Sequence, residues 1–289
     1  MINEEINRIV YQWREIWDKC IETKNGILPL DTSCIEIFKQ YLPKNGLILE
    51  GGAGLGQWVI YLSNIGYKIV GIEIVPECVQ RFKKKYPELK MYVGNVLELN
   101  YPDNTFDGYL SLGVIEHFIE GPDRVLKEAY RVLKPDGVFI VSVPAYNLAR
   151  KIIYPLINFI NPLKENEILR KIFNRKKLNY NSEIKKLSKK YLDENINKNY
   201  YPMIGIHPEY GLIFTEYRYK KGQLEEVLSR NKFKVIICKP ISYEAGLKEI
   251  LEIIGINIDF GSNLLKLGKY FGYHFFNHMY IAVAKPVKN

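Results

Sequence analysis

A glycine-rich turn between a buried strand and a helix is the feature that most constrains this chain. Residues 47–60 read Leu-Ile-Leu-Glu-Gly-Gly-Ala-Gly-Leu-Gly-Gln-Trp-Val-Ile. A short apolar run ends in Glu50, glycines follow at positions 52, 54 and 56, and an apolar helical pattern then resumes. This pattern predicts a buried parallel strand, a tight turn and the start of a helix. Glycine suits such a turn because it allows unusual backbone angles and lets a ligand approach main-chain atoms closely.

The spacing of the glycines separates two classes of nucleotide-type ligand. The dinucleotide fingerprint is Gly-x-Gly-x-x-Gly, with a pyrophosphate at the helix N-terminus. Counted from Gly52 and Gly54, its last glycine would fall at position 57, where the chain has Gln57. The observed pattern is instead Glu-x-Gly-x-Gly-x-Gly, from Glu50 to Gly56. A turn that binds no ligand is the alternative that the loop alone leaves open.

Strands and helices alternate regularly after this turn. Apolar runs predict strands at 47–50, 68–73, 90–93, 106–112 and 138–143, and helical patterns lie between them at 57–63, 76–85 and 122–133. Alternation at this spacing predicts a parallel, doubly wound sheet with right-handed crossovers. Ligands of such sheets bind beyond the carboxyl ends of the strands.

Further motifs follow the turn in a fixed order: Tyr-Pro-Asp-Asn-Thr-Phe-Asp at 101–107, Ser-Leu-Gly-Val-Ile-Glu-His at 111–117, and Arg-Val-Leu-Lys-Pro-Asp-Gly at 131–137. Together with the glycine turn and Glu73, they resemble the successive motifs of the class I S-adenosylmethionine-dependent methyltransferases of the small-molecule type. The resemblance covers residues 47–144 without a break. It implies a Rossmann-like α/β fold with a doubly wound, mostly parallel seven-stranded sheet and helices on both faces. It also implies a seventh strand that runs antiparallel beside the fifth.

The same resemblance implies S-adenosylmethionine as the cofactor, S-adenosylhomocysteine as the product and no metal. In this family the glycine loop wraps the methionine portion, and the acid that ends the first strand lies near the ammonium group. Glu73 can accept hydrogen bonds from both hydroxyls of a ribose. Asn95 stands where the family usually has Asp, and its amide oxygen can accept the same bond from the adenine amino group. The predicted cofactor residues are Glu50, Gly51, Gly52, Gly54, Gly56, Glu73, Ile74, Asn95, Val96 and Leu112.

Methyl transfer requires alignment of the acceptor above all, and a general base only for a hydroxyl or a protonated amine. His117 is the predicted base, because in this family the loop after the fourth strand lies next to the methyl group. The alternative is that Glu116 and His117 only cap or pack this loop. Further catalytic candidates are Glu116, next to His117, and, more weakly, His207 and Glu216, which border an insertion. The chain has no Ser-His-Asp order and no His-Glu-x-x-His motif, which disfavours hydrolases and zinc proteases.

Three segments surround or interrupt the predicted core, which comprises residues 46–144 and 214–289. Residues 1–45 are expected to form helices that cover the cofactor edge. Trp13 and Trp17 share one face there, and packing onto the core is favoured over a lid. Residues 145–213 are predicted to be a helical cap between strands five and six that forms the acceptor pocket. A smaller insertion is expected at about 242–273.

The formal charge of +9 is concentrated in one stretch. Residues 151–200 contain twelve Lys and Arg against five Asp and Glu, a net charge of +7. A solvated helical face is the favoured interpretation, and a surface that binds an anionic membrane or nucleic acid is the more specific alternative.

Neither a signal-peptide pattern nor a membrane-spanning run is found, and the cysteines show no ligand spacing. The expected location is the cytoplasm, with peripheral contact to the inner face of the membrane as an option. The cysteines are expected to be reduced and buried; they are Cys20, Cys34, Cys78 and Cys238.

Three functions are weighed. The favoured one is methyl transfer to an oxygen or nitrogen atom of a small-molecule, saccharide or lipid-precursor acceptor. The second is an RNA methyltransferase that uses the basic insertion as its footprint. Methyltransferases of base amino groups usually have Asn/Asp-Pro-Pro-Tyr/Phe where this chain has Ser-Leu-Gly-Val at 111–114, so that target is disfavoured. The third is a non-catalytic, cofactor-binding scaffold that associates with a membrane.

Overall fold

A computed structural model describes most of the chain. The described residues are 10–11, 13–18, 20–21, 32–152, 182–207, 211–253, 265 and 273–288. The cap helices predicted between positions 153 and 181 lie outside them, as do the start of the first predicted helix and the side chain of His207.

The described residues between 10 and 21 are helical, and we call them the N-terminal helical segment. The helices that follow are α1 Thr32–Tyr41, α2 Gln57–Asn64, α3 Pro76–Lys85, α4 Asp123–Val132, α5 Ser182–Asn195, α6 Lys221–Arg230, α7 Tyr243–Ile253 and α8 Tyr273–Phe276, with a 3₁₀ turn at Ile115–His117. The strands are β1 Leu47–Gly51, β2 Lys68–Glu73, β3 Lys90–Val93, β4 Phe106–Leu112, β5 Leu133–Pro144, β6 Tyr201–His207, β7 Gly211–Arg218, β8 Phe233–Ile241 and β9 Met279–Pro286.

Seven of these strands form one sheet, in the order β3-β2-β1-β4-β5-β9-β8. Strands β1 to β5 pair in parallel, and β9 lies antiparallel between β5 and β8. The predicted seven-stranded, mostly parallel sheet is therefore confirmed, including the antiparallel strand beside the fifth. The carboxyl ends of β1, β2, β3 and β4 meet at one side of the sheet, which we call the carboxyl edge.

The remaining two strands, β6 and β7, form a separate antiparallel hairpin. This corrects the prediction of a wholly helical cap, because β6 and the start of β7 lie within residues 145–213. Pro202 inside β6 is unfavourable for a helix, and Phe214 and Tyr217 of the hairpin are buried, as is Tyr219 directly after it. Burial of these aromatic side chains against the main core stabilises the extended pairing.

Strand boundaries otherwise follow the apolar runs closely, with one larger difference. Strand β5 begins at Leu133 rather than at Val138, because Leu133 already pairs with Phe106. An irregularity between Phe106 and Gly108 then realigns the two strands. Of the cysteines expected to be buried, Cys34 and Cys78 are, whereas Cys20 and Cys238 are partly exposed.

Two hydrophobic clusters lie on opposite faces of the sheet. Leu49, Tyr109 and Phe139 belong to one cluster, and their chain neighbours Ile48, Leu110 and Ile140 belong to the other. Neighbouring residues point to opposite faces because side chains alternate along a strand. With apolar residues on both faces, the strands are held rigidly, and the carboxyl edge gives a fixed base for a binding site.

Candidate active site

A cavity of about 220 Å³ lies at the carboxyl edge. Its walls come from the N-terminal helical segment, the glycine turn, the residues that follow β2 and β3, and the turn after β4. The predicted site residues that line it are Glu50, Gly52, Gly54, Glu73, Ile74, Asn95, Val96, Leu112 and His117.

The glycine turn has the backbone that only glycine adopts easily. Gly52, Gly54 and Gly56 have φ of 75°, 55° and 77°, in the left-handed region. The amides of Gly52 and Ala53 both donate to the Ile72 carbonyl, at 2.8 and 2.9 Å. The turn is therefore fixed to the end of β2, with main chain exposed toward the cavity.

Two predicted cofactor residues, Gly51 and Gly56, lie outside the lining of the cavity. A Cβ on Gly51 would lie 2.4 Å from the Tyr109 hydroxyl oxygen, and one on Gly56 would lie 2.3 Å from the Phe82 ring. Both contacts are with the core, so these glycines are needed for close packing beneath the turn.

Glu73 links the turn to the end of β2. Its carboxylate oxygens accept hydrogen bonds from the amides of Gly54 at 2.7 Å and Val75 at 3.0 Å. Burial raises the pKa of Glu73, and these amide donors oppose the rise. Each carboxylate oxygen accepts more than one hydrogen bond, so Glu73 retains capacity toward a ligand in the cavity.

Glu50 is the least satisfied acid of the site. It is only 3% exposed, and the Val59 amide donates to it. Its Oε2 atom has no hydrogen-bond partner. Burial raises the pKa of Glu50 well above its ordinary value, and the neighbouring charge of Glu73 raises it further. Among the residues with described positions, no cationic side chain forms an ion pair with either acid. A cationic ligand would therefore be stabilised here.

Asn95 lines the cavity after β3, but its amide oxygen is already engaged. This oxygen accepts a hydrogen bond from the Leu97 amide at 2.9 Å, which closes a local turn. Only the second lone pair of the oxygen remains for an adenine amino group. The neighbouring Val96 is buried and contributes an apolar surface to the same wall.

His117 lies in the 3₁₀ turn after β4, and its ring has a defined orientation. Its Nδ1 lies 2.7 Å from the Thr215 carbonyl oxygen on β7. A carbonyl only accepts, so Nδ1 carries the proton and Nε2 carries the lone pair in the neutral ring. Burial lowers the pKa of His117, while the Thr215 and Gly113 carbonyls and the charge of Glu216 favour protonation. The neutral, basic form is thus favoured at rest.

The other predicted catalytic residues do not line the cavity. Glu116 is 1% exposed, and burial raises its pKa well above the ordinary value. Glu216 forms an ion pair with Arg218 at 3.1 Å. His207 pairs with Gly211 at the tip of the hairpin, whereas Glu216 pairs opposite Met203. At about 3.3 Å per residue, the His207 backbone lies roughly 13 Å along the strand from that position. The hairpin therefore does not bring His207 together with Glu216.

Aromatic side chains form a part of the site that the predicted site residues do not include, and for Trp13 and Trp17 a lid was only the less favoured prediction. Trp13, Trp17 and Trp58, the three tryptophans of the chain, all line the cavity. The rings of Trp13 and Trp17 stack at 5.6 Å, and Trp13 meets the His117 ring edge-on at 4.7 Å. The expectation that Trp13 and Trp17 simply pack onto the core is wrong. Their spacing showed that the two rings share one helical face. Which surface this face covers depends on how the helix packs against the rest of the chain, and the spacing does not show that.

Comparisons with known proteins point to one class. A family model described as a methyltransferase domain matches residues 49–141. A probable S-adenosylmethionine-dependent methyltransferase of Mycolicibacterium smegmatis is 33% identical over 97 residues, 34% of this chain and 37% of that protein. A demethylmenaquinone methyltransferase of a Geobacillus species is 28% identical over 163 residues, 53% of this chain and 61% of that protein. The matched segments thus span less than two thirds of either relative.

A solved structure shows the same fold over a longer stretch. It is the 1,6-didemethyltoxoflavin-N1-methyltransferase of Burkholderia thailandensis, with bound S-adenosylhomocysteine. Its TM-score is 0.54 at 13% identity, and the match covers 99% of this chain and 88% of that one. The matched residues 49–141 thus combine the sequence pattern of a methyltransferase domain with a Rossmann-like fold. The residues at the carboxyl edge fit S-adenosylmethionine, because Glu50 offers an unpartnered buried acceptor beside an open glycine backbone.

Proposed function

We propose that this protein transfers the methyl group of S-adenosylmethionine to an oxygen or nitrogen atom of a small-molecule acceptor, with His117 as the general base. The orientation of the His117 ring carries the proposal. Its Nδ1–H donates to the Thr215 carbonyl while the ring lines the cavity, so Nε2 is the basic nitrogen. A base within reach of the acceptor is what a hydroxyl or an ammonium group requires before methylation.

When bound, S-adenosylmethionine supplies a methyl group on a positively charged sulfur. The residues of the chain would hold it from several sides: Glu50 toward its ammonium group, Glu73 toward its ribose hydroxyls and Asn95 toward its adenine. Leu112, Val114 and Phe118 give the cavity apolar walls that exclude water from the reacting atoms.

His117 would accept the acceptor's proton at Nε2. Burial keeps the ring neutral at rest, and the carbonyls of Thr215 and Gly113 stabilise the imidazolium that forms. The charge of Glu216 acts in the same direction. These groups sit in fixed backbone or paired positions, so the site does not have to reorganise as the charge develops.

An apolar or aromatic small molecule is the acceptor class that the cavity favours. Trp13, Val114 and Phe118 surround the space next to His117. The relatives that match this chain are named for demethylmenaquinone and a toxoflavin precursor, which are small organic acceptors. RNA is the alternative acceptor suggested by the charge of residues 151–200. It would need a wider opening to the cavity in order to reach His117.

A peripheral contact with an anionic membrane is part of the proposal. Helix α5 exposes Leu187 and Tyr191, one turn apart, beside the exposed Lys186, Lys189 and Lys190. Mixed apolar and basic surfaces of this kind bind anionic headgroups. No helix in the described ranges is long and apolar enough to span a bilayer. Co-sedimentation with phosphatidylglycerol vesicles, but not with phosphatidylcholine vesicles, is the expected result.

Labelled methyl transfer tests the function directly. The purified protein and methyl-labelled S-adenosylmethionine are incubated with quinone, lipid-precursor, saccharide, small-metabolite and RNA fractions, and we expect label in a small-molecule fraction. With the acceptor found, His117→Gln should lower kcat roughly 100-fold or more while leaving affinity for S-adenosylhomocysteine unchanged. Label in RNA alone would overturn the acceptor class, and an unchanged kcat would remove His117 as the base.

A further inference from the structure

Two buried polar atoms of the cavity wall lack hydrogen-bond partners. They are the indole Nε1 of Trp17 and the carboxylate Oε2 of Glu50, and both residues line the cavity. An unsatisfied buried polar group is destabilising, and native structures carry few of them without a ligand or water. The indole nitrogen only donates, whereas the carboxylate of Glu50 in its ionised form, which a bound cation favours, only accepts. The cavity therefore offers one unused donor and one unused acceptor.

Both residues adjoin the glycine turn. Glu50 stands at the end of β1, directly before the turn. The Trp17 ring covers Gly54: a Cβ on Gly54 would lie 2.6 Å from Cζ2 of the ring and 3.4 Å from Cε2, the carbon bonded to Nε1. The closest contacts are with Cζ2 and with Cη2, at 2.8 Å, so the benzene part of the indole covers Gly54, and Nε1 lies one bond beyond Cε2, close to the turn.

Contacts with α3 hold Trp17 in this place. In the N-terminal helical segment, Arg14 forms an ion pair with Glu77 at 2.7 Å, and Asp18 lies 3.9 Å from Arg81. Exposed ion pairs of this kind add little stability, but they set which face of the segment meets the cavity. The Trp13 ring stacked on Trp17 fixes the tilt of the indole.

We infer that Trp17 is a cofactor-binding residue that donates its indole N–H to the carboxylate of the cofactor's amino-acid end, while Glu50 pairs with the ammonium group. An α-amino acid carries an anionic acceptor and a cationic donor on one carbon, so a single group satisfies both unpartnered atoms. The inference rests on the proposed function and deepens it. It places the amino-acid end beneath the N-terminal helical segment and makes that segment part of the cofactor site.

Calorimetry with two ligands tests the inference without any methyl acceptor. S-adenosylhomocysteine has the amino-acid end, and 5′-methylthioadenosine keeps the adenosine and the thioether but lacks that end. Trp17→Phe retains most of the ring and removes the donor. It should weaken binding of S-adenosylhomocysteine roughly tenfold, as expected for a hydrogen bond to a charged group, and leave binding of 5′-methylthioadenosine unchanged. Tyr11→Phe is the control on the same helical segment, since it removes an exposed hydroxyl group outside the cavity lining, and it should change neither affinity.

Equal weakening of both ligands by Trp17→Phe, or no weakening, would overturn the inference, since a ring that only packs does not distinguish them. A second measurement on the wild-type protein guards against a variant that fails to fold. The chain has three tryptophans, so its NMR spectrum has three indole N–H signals. One signal should move with S-adenosylhomocysteine and stay in place with 5′-methylthioadenosine; the absence of such a signal would also overturn the inference. These measurements need no turnover. They can therefore contradict the role of Trp17 while methyl transfer is still observed, or support that role while no methyl transfer is found.

Discussion

Two groups of buried charged side chains in this molecule differ in their ion-pair partners. At the carboxyl edge, Glu50 and Glu73 lie close together, and no cation among the described residues pairs with them. Behind the turn after β4, a second group of charged side chains pairs internally, and we call it the ion-pair cluster. Its members are the charged side chains of Arg150, Arg218, Glu216 and Glu249, together with the ring of His278, which lies against Glu249.

Glu249 lies at the centre of the ion-pair cluster. It is bonded to Arg150, and it lies 3.0 Å from both Arg218 and His278. These contacts join the end of β7, helix α7 and the segment that follows β5. Charges that neutralise one another hold the scaffold in place, whereas the acids that lack a partner mark where a cationic ligand would bind.

The largest expected effect comes from opening the ion-pair cluster. Glu249→Gln leaves the buried guanidiniums of Arg150 and Arg218 without their shared carboxylate. Removing one partner of a buried pair is strongly destabilising, and we expect a loss of about 2–3 kcal/mol in the free energy of unfolding. Urea denaturation measures this loss. An unchanged midpoint would show that the cluster does not hold the scaffold together.

The matching change at the carboxyl edge should lower ligand affinity and not the stability of the protein. Glu50→Gln removes a buried charge that has no cationic partner, so the ligand-free protein should be as stable as the wild type or more so. Affinity for S-adenosylhomocysteine should fall roughly 10- to 100-fold, because the ammonium group loses its acid. Calorimetry and thermal melts measure the two effects, with Glu98→Gln as a control at an exposed acid. A destabilised protein that keeps full affinity for S-adenosylhomocysteine would contradict this contrast between the carboxyl edge and the ion-pair cluster.

Substitutions at two glycines of the turn should show the same contrast between ligand affinity and stability. Gly54→Ala puts a Cβ against the Trp17 ring at the cavity and should reduce affinity for S-adenosylhomocysteine about tenfold. Gly56→Ala puts a Cβ against Phe82 in the core and should cost about 1–2 kcal/mol of stability. Affinity of the folded Gly56→Ala protein should change little. Interchanged results would mean that the cavity side and the core side have been assigned wrongly.

The smallest expected effect is a dependence on pH. Burial raises the pKa of Glu50 and Glu73 above the ordinary value of 4.5. The folded chain then keeps protons that the unfolded chain has lost, so ligand-free stability falls as the pH rises from 4.5 through the raised values. Ionised acids bind a cation better, so the Tm increase caused by S-adenosylhomocysteine should be larger at about pH 7.5 than at about pH 5.5. Glu50→Gln should reduce this difference. A Tm increase that is independent of pH would contradict the assignment.

Local sequence patterns predicted the carboxyl edge well, because each strand there is a short apolar run that ends in a polar residue or glycine. The residues at the ends of β1, β2 and β4 could therefore be placed from the sequence alone. The hairpin β6–β7 could not be placed, since its extended shape depends on burial of Tyr217 and Tyr219 against the core. The tautomer of His117 was also out of reach. It is set by the Thr215 carbonyl, which lies 98 residues further along the chain.

A crystal structure of the protein grown with S-adenosylhomocysteine is the most direct measurement of the central claim. We expect density for the whole ligand in the cavity, with its ammonium group against Glu50 and its ribose hydroxyls against Glu73. Density for the ligand elsewhere, or an empty cavity at a saturating concentration of the ligand, would contradict it.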